Sequence, residues 1–287
     1  MLHIINAHLK PITAPDIPCG EMLIDQGKII AIGTVVDAPE GCEVFDAQGC
    51  LVTPGFIDAH THIGLHEEAV RWEGADYNEV SAPITPEMRA IDAINPRDEA
   101  FQVALAGGVT TACTGPGSAN VIGGTFTAIK LHGRDVDDMI LREAIAMKIA
   151  MGENPKGCYG QQGKKTPVTR MAIAALLRGT LAKAKKYAAD IAIADAEGKA
   201  RPFDFQMEAM LPVINREIPL KAHAHRADDI LTVLRICREF DVDVTLDHVT
   251  EGHLIVDKLV DAGKPVLVGP SLGSKSKFEL KEKSFAT

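Results

Sequence analysis

Histidines stand at the ends of three apolar runs of this sequence. His60 and His62 close "GFIDAHTH", His223 and His225 close "LKAHAH", and His248 ends "TLDH". A spacing of two places both imidazoles of a pair on the same side of an extended strand. Imidazole is the commonest metal-binding side chain, and a set of nitrogen and oxygen ligands suits zinc, iron, manganese or nickel. The sequence therefore predicts a site for one or two divalent metal ions.

Two further residues could join this site. Lys148 lies inside the apolar run "AMKIAMG", and Glu153 follows just beyond it. A buried ammonium is costly unless it is paired or neutralised, although a lysine can also extend its charge to solvent. The other histidines lack such placement, and no metal role is predicted for them: His3, His8, His66, His132 and His253.

Charge and composition narrow the class of partner. The chain has 287 residues, a net charge of −9 and a 46% hydrophobic fraction. A negative net charge does not suit nucleic acid or an anionic membrane, because both need a basic face. No apolar run approaches the ~18 residues of a membrane span, and the N-terminus does not have the layout of a signal peptide. We therefore expect a cytoplasmic protein whose partner is a small-molecule substrate or another protein.

The pattern of apolar and polar residues changes near residue 54. Residues 1–53 form short apolar stretches cut by Pro, Gly and Asp, which indicates β-hairpins, and Gly27 is expected to take a positive φ in one turn. Residues 54–287 alternate apolar runs with amphipathic segments, which predicts parallel strands joined by right-handed crossovers. Helices are predicted to start at Pro96 and Pro167.

Seven strand candidates follow residue 54, one fewer than a closed (β/α)₈ barrel requires. In such barrels the chemistry lies at the C-terminal ends of the strands. The histidines occupy those ends. We therefore expect an α/β fold with an incomplete barrel of the TIM type.

The segments "PGFIDAHTH", "GVTT", "MKIA", "HAH" and "DH" occur in this order. Together they resemble the metal-dependent amidohydrolase superfamily, particularly the branch of imidazolonepropionase-like enzymes and Xaa-Pro dipeptidases. The resemblance implies a distorted (β/α)₈ barrel beside a small β-sandwich to which residues 1–53 contribute. It also implies hydrolysis of a C–N bond in an amide, cyclic amide or dipeptide-like molecule through a metal-activated water, with zinc as the first candidate metal.

Ligand positions follow from the same resemblance. It implies metal ligands on strands one, four, five and six, namely His60, His62, Lys148, His223 and His248. Lys148 would be carboxylated and bridge two metals, and Glu153 is the alternative ligand from this region. His225 would face the substrate, and it is the candidate for proton transfer.

One departure from the family pattern affects the expected activity. Members carry an aspartate on an eighth strand and a C-terminal half of the sandwich, and the sequence printed here has neither after "KPVLVGPS". We therefore expect a C-terminally truncated barrel that lacks its last strand and forms homo-oligomers through open strand edges. The alternative function is a catalytically inactive metal-binding or scaffold protein of the same fold.

Overall fold

The structure, a computed structural model, describes residues 1–285 and contains two compact units, Met1–Phe56 and the chain from Ile57 onward. The strands of the described residues are β1 (Leu2–Leu9), β2 (Ile17–Asp25), β3 (Lys28–Gly33), β4 (Glu43–Asp46), β5 (Leu51–Val52), β6 (Phe56–Thr61), β7 (Val109–Thr114), β8 (Ile122–Lys130), β9 (Ile140–Ala150), β10 (Leu220–Ala224), β11 (Val244–His248) and β12 (Val266–Val268). The α-helices are α1 (Glu99–Ala106), α2 (Val136–Met139), α3 (Glu153–Pro155), α4 (Arg170–Ala196), α5 (Phe205–Ile214), α6 (Ala227–Phe240) and α7 (Val256–Ala262). Short helical turns of other types cover Ala90–Asp92, Lys156–Gln162, Gly252–Leu254 and Phe278–Leu280.

The first unit is built on one sheet with the order β3-β2-β1-β4, and β5 also pairs with β1. Gln26 and Gly27 join β2 to β3 with φ values of 48° and 76°. Two positive φ values are the signature of the type I′ hairpin turn, so the prediction for Gly27 is confirmed. The assignment of residues 1–53 to a β-sandwich stays a prediction.

The second unit contains a seven-stranded sheet, within the described residues, of order β12-β11-β10-β9-β8-β7-β6. All seven strands predicted after residue 54 are present. Strands β9 to β12 are parallel, but β8 runs antiparallel to both β7 and β9. The prediction of parallel pairing throughout is therefore wrong at β8. The connections 115–121 and 131–139 are too short for crossovers, which need a dozen or more residues.

This sheet curls into a nearly closed, barrel-like form. His60 on the edge strand β6 lies 2.9 Å, Nδ1 to Oδ2, from Asp247 on β11, next to the opposite edge. A cavity of about 490 Å³ is lined by residues of β6 and β12, among them Asp58 and Leu267. The curvature brings side chains from strands at the two ends of the sheet into contact.

The helices begin later than proline placement predicts. Asp98 caps α1 by accepting the Ala100 N–H, and Thr169 caps α4 by accepting the Ala172 N–H. The predicted starts at Pro96 and Pro167 are therefore wrong, because the side-chain oxygens that satisfy the first N–H groups lie further along the chain. No helix of residues 1–285 is both long enough and apolar enough to cross a membrane.

Gly179, in the interior of α4, offers a direct test of the helix. A Cβ at this position would meet no heavy atom within 4 Å. Gly179→Ala is therefore expected to raise the free energy of unfolding by about 0.5–1 kcal/mol, because alanine loses less backbone freedom on folding. Urea unfolding followed by circular dichroism measures this change. Gly115→Ala is the contrasting variant, since its Cβ would overlap the Phe126 ring and should destabilise. A lower midpoint for Gly179→Ala would contradict the expectation.

Candidate metal centre

Strand β6 ends in the first histidine pair. His60 is in the strand and His62 follows it directly, so both half-buried rings lie on one side, with centroids 5.4 Å apart. The Nδ1–H of His62 donates to the Gly115 carbonyl at 2.7 Å. A carbonyl only accepts, so this contact fixes the proton on Nδ1 and leaves the Nε2 lone pair available.

The second pair and His248 lie beside the first. His223 is in β10, His225 follows it, and His248 ends β11. The ligand nitrogens of these three residues lie within 4.8 Å of one another. The His248 ring lies 4.6 Å from that of His223, 4.8 Å from that of His225 and 5.1 Å from that of His60, centroid to centroid. We call His60, His62, His223, His225 and His248 the histidine cluster.

The backbone of His248 departs from the strand. Its φ is 76° and that of Val249 is 48°, both in the left-handed region that is uncommon for residues other than glycine. In a regular strand, consecutive side chains point to opposite faces. Here both Asp247 and His248 contact His60. The unusual backbone at His248 therefore directs two consecutive side chains to the same side of the sheet.

Several rings of the cluster are held through Nδ1. His248 donates from Nδ1 to the Gly269 carbonyl at 2.7 Å, as His62 does to Gly115. The Nδ1 of His225 lies 2.8 Å from Oγ1 of Thr250. His223 differs, because its Nε2 lies 3.3 Å from the Asn154 amide nitrogen. A ring anchored at Nδ1 presents Nε2 to a metal, which is the usual arrangement of metal-binding histidines.

Burial keeps the cluster neutral. It lowers the pKa of His60 to about 3, those of His62 and His248 to about 4, and that of His225 to about 2. Burial is also the main cause that brings the pKa of His223 well below its usual value, and the repulsion that a charged His223 would meet from protonated His248 or His225 acts in the same direction. Neutral imidazole is the form that binds metals.

Lys148 lies against Asp247 inside the sheet. Its side chain is fully buried, and its Nζ has no hydrogen-bond partner in the structure and is 3.6 Å from Oδ2 of Asp247. Lys221, on the next strand, donates to Oδ1 of Asp247 at 3.0 Å. Burial lowers the pKa of Lys148 to about 8. For Asp247 burial would raise the pKa, but the His60 contact and the two lysine charges outweigh it and lower the pKa far below its usual value.

Glu153 is placed differently from Lys148. Its carboxylate accepts the backbone N–H of Glu279 at 3.1 Å, and the Glu279 carboxylate accepts the N–H of Glu153 in return. Arg170 donates to the Glu279 carboxylate at 2.9 Å. The family resemblance left Lys148 and Glu153 as alternatives for the same metal ligand. In the structure Lys148 lies beside the Asp247 carboxylate, which contacts His60, whereas Glu153 is hydrogen-bonded to Glu279.

The donor set can accommodate a divalent metal. Buried polar atoms without a hydrogen bond meet at one point of the cluster: His60 Nδ1, Lys148 Nζ and Asp247 Oδ2. Such atoms are costly when unsatisfied. A cation coordinated by the available Nε2 atoms would add positive charge near the Asp247 carboxylate, and a carbamate on Lys148 would replace its unpaired ammonium with an anionic ligand. Nitrogen and oxygen donors of this kind fit zinc, iron, manganese or nickel.

A family model matches the chain over residues 51–259, and its description is "Amidohydrolase family". The matched range includes all five residues of the histidine cluster. The chain belongs to the amidohydrolase family. The resemblance in its sequence motifs is thereby confirmed at the level of the family.

Individual relatives agree with this membership. An amidohydrolase of known structure from Thermotoga maritima MSB8 is 41% identical, with a TM-score of 0.94, over 99% of this amidohydrolase and 74% of that chain. Amidohydrolase tasK from Hapsidospora irregularis is 29% identical over 84% of this chain. An imidazolonepropionase from Sphingopyxis alaskensis is 40% identical over 26% of it. The matches span 27% of tasK and 21% of the imidazolonepropionase.

Sequence reasoning singled out neither Asp247 nor Lys221 as site residues. Each is a charged residue inside a short apolar strand, in "TLDH" and "LKAHAH", and each is nearly fully buried. Charge within an apolar run, which drew attention to Lys148, is the signal that could have identified both.

Proposed function

We propose that this amidohydrolase hydrolyses a C–N bond of a small molecule, an amide, cyclic amide or dipeptide-like compound. The observation that carries the proposal is a cluster of five neutral histidines, in which the ligand nitrogens of His223, His225 and His248 lie within 4.8 Å of one another. Zinc is the first candidate metal, with iron, manganese or nickel as alternatives. Similarity to a protein named imidazolonepropionase supports a cyclic amide among the candidate substrates.

In this proposal His60, His62, His223 and His248 hold the metal. A divalent metal in such a site polarises a substrate oxygen and lowers the pKa of bound water. The Gly115 and Gly269 carbonyls hold His62 and His248 in orientation, and Asn154 would have to release Nε2 of His223 if that atom bound the metal. Lys148, if carboxylated, would supply an anionic ligand for a second metal, and Glu153 is the alternative for that position.

His225 is proposed as the group that moves a proton between the attacking water and the leaving nitrogen. We expect His225→Gln to retain its metal and to lose about 10²–10⁴-fold in kcat, the usual contribution of general acid–base catalysis. Metal analysis and steady-state kinetics on the same preparation measure both quantities. If His225→Gln loses metal in parallel with activity, His225 is a ligand and the proton-transfer role is wrong.

The test of the proposed function combines metal analysis with a substrate screen. Protein purified without chelator is analysed for transition metals and assayed against N-acyl amino acids, dipeptides and cyclic amides. Stoichiometric metal and turnover that a chelator abolishes and zinc restores would support the proposal. Stoichiometric metal without turnover of any of these classes would favour a metal-binding or scaffold protein. A homo-oligomer and two domains, 1–53 and 54–287, complete the proposal.

A further inference from the structure

Two buried lysines lie side by side next to Asp247. Lys148 on β9 and Lys221 on β10 are partners in the parallel register of these strands. Their exposed fractions are 0% and 4%. Each ammonium lies 5.4 Å from the centroid of the Phe126 ring. The two side chains therefore share burial and the Phe126 ring as a neighbour.

Their contacts with Asp247 differ. Lys221 donates a hydrogen bond of 3.0 Å to Oδ1, whereas Lys148 lies 3.6 Å from Oδ2 and makes no hydrogen bond. Oδ2 is also the oxygen that lies 2.9 Å from Nδ1 of His60. The two carboxylate oxygens thus have separate neighbours, Lys221 on one side and His60 with Lys148 on the other.

We propose that Lys221 and Asp247 form a positioning pair for the metal centre, in which Lys221 fixes the carboxylate through Oδ1 so that Oδ2 holds the His60 ring with Nε2 toward the metal. This inference rests on the proposed function, because it assigns His60 as a ligand. Both residues of the pair act through the His60 ring.

The chemistry of the contact supports this assignment. A ring nitrogen 2.9 Å from an ionised oxygen must carry a proton, since two lone pairs would repel at that distance. The N–H of His60 is not aligned with Oδ2 as a full hydrogen bond requires, so the orientation of the carboxylate decides how well the ring is held. A carboxylate without Lys221 could rotate about its side-chain bonds and would keep a buried oxygen unpaired.

Lys148 cannot replace Lys221 in this role. The oxygen of Asp247 nearest to Lys148 is the one that faces His60. A hydrogen bond from Lys148 to that oxygen would therefore compete with the ring. The two lysines therefore have different roles. Lys221 holds Asp247, and Lys148 stays available as a metal ligand.

The experiment compares Lys221→Met and Asp247→Asn with the control Lys183→Met, which removes an exposed lysine of α4. Nitrogen NMR of the His60 ring in chelator-treated protein reports its tautomer, and zinc titration against a chromophoric chelator reports affinity for the first ion. We expect wild type and Lys183→Met to show the Nδ1–H tautomer. Lys221→Met and Asp247→Asn should show a mixture and bind the first zinc ion about 10–100-fold more weakly, as loss of an outer partner of a ligand does.

The double variant Lys221→Met/Asp247→Asn should be no weaker in zinc binding than Asp247→Asn alone, because the two residues act as one unit. If Lys221→Met does not fold by circular dichroism, Lys221→Gln takes its place. An unchanged His60 tautomer with zinc affinity within twofold of wild type in both single variants would overturn the pair. Wild type that binds no zinc would instead refute the proposed function, while the tautomer measurement would still decide the pair.

Discussion

The double variant His60→Ala/His62→Ala is expected to fold and to lose both stoichiometric metal and C–N hydrolysis. Two of the four proposed histidine ligands come from this one strand end, so the variant keeps only His223 and His248 of the proposed set, with His225 beside them. Metal polarisation is worth several kcal/mol, so kcat/KM should fall by about 10³-fold or more. Elemental analysis and the substrate assay measure the two losses.

The control for this variant is His132→Ala. His132 is exposed and lies outside the histidine cluster, so its removal should leave metal content and turnover at wild-type values. Substoichiometric transition metal in wild type and double variant alike would refute the site. So would a double variant that binds metal as wild type does.

Lys148→Ala is expected to bind one metal ion where wild type binds two. A neutral lysine amine can add to carbon dioxide, forming an N–C bond and releasing one proton to solvent, and the resulting carbamate is an anionic ligand. The full burial of Lys148 and its lack of a hydrogen-bond partner favour this chemistry over a role as a paired charge. Metal-free wild type should therefore take up the second ion more completely when bicarbonate is added.

Glu153→Gln is the matched comparison for Lys148→Ala. A glutamine side chain can still accept the Glu279 N–H, so this variant should retain the local structure and both ions. If Glu153→Gln loses an ion while Lys148→Ala keeps both, Glu153 is the fourth-strand ligand and the carbamate is wrong. Counting ions in the two variants under identical bicarbonate concentration decides between them.

The sequence predicted the strands of the second unit better than their directions. Each apolar run after residue 54 became a strand because its composition and length are local properties. The direction of β8 depends on how the connections 115–121 and 131–139 can be spanned, which is a property of the assembled sheet. The helix starts were missed at Pro96 and Pro167 for a related reason, because the residue that caps a helix depends on the turn formed before it.

Only part of the candidate site, likewise, could be predicted from the sequence. Strand-end spacing was sufficient to select His60, His62, His223, His225 and His248, and the structure brings all five together. Asp247 was missed because strand alternation directs neighbouring residues to opposite faces, and only the backbone conformation at His248 overrides that rule. Lys148 and Glu153 could not be ranked from sequence, because the contact that engages Glu153 comes from Glu279, far along the chain.

The left-handed backbone at His248 and Val249 also affects which stabilising substitutions this protein can accept. Non-glycine residues held in that region each cost on the order of 1–3 kcal/mol, and Val249 is β-branched and almost fully buried. The fold therefore sustains a local strain where β11 delivers Asp247 and His248. Substitutions selected only for thermal stability would tend to relax this segment, and relaxation would return the two side chains to opposite faces. At the end of β11, a substitution that raises the stability of the fold would therefore tend to disrupt the candidate metal centre.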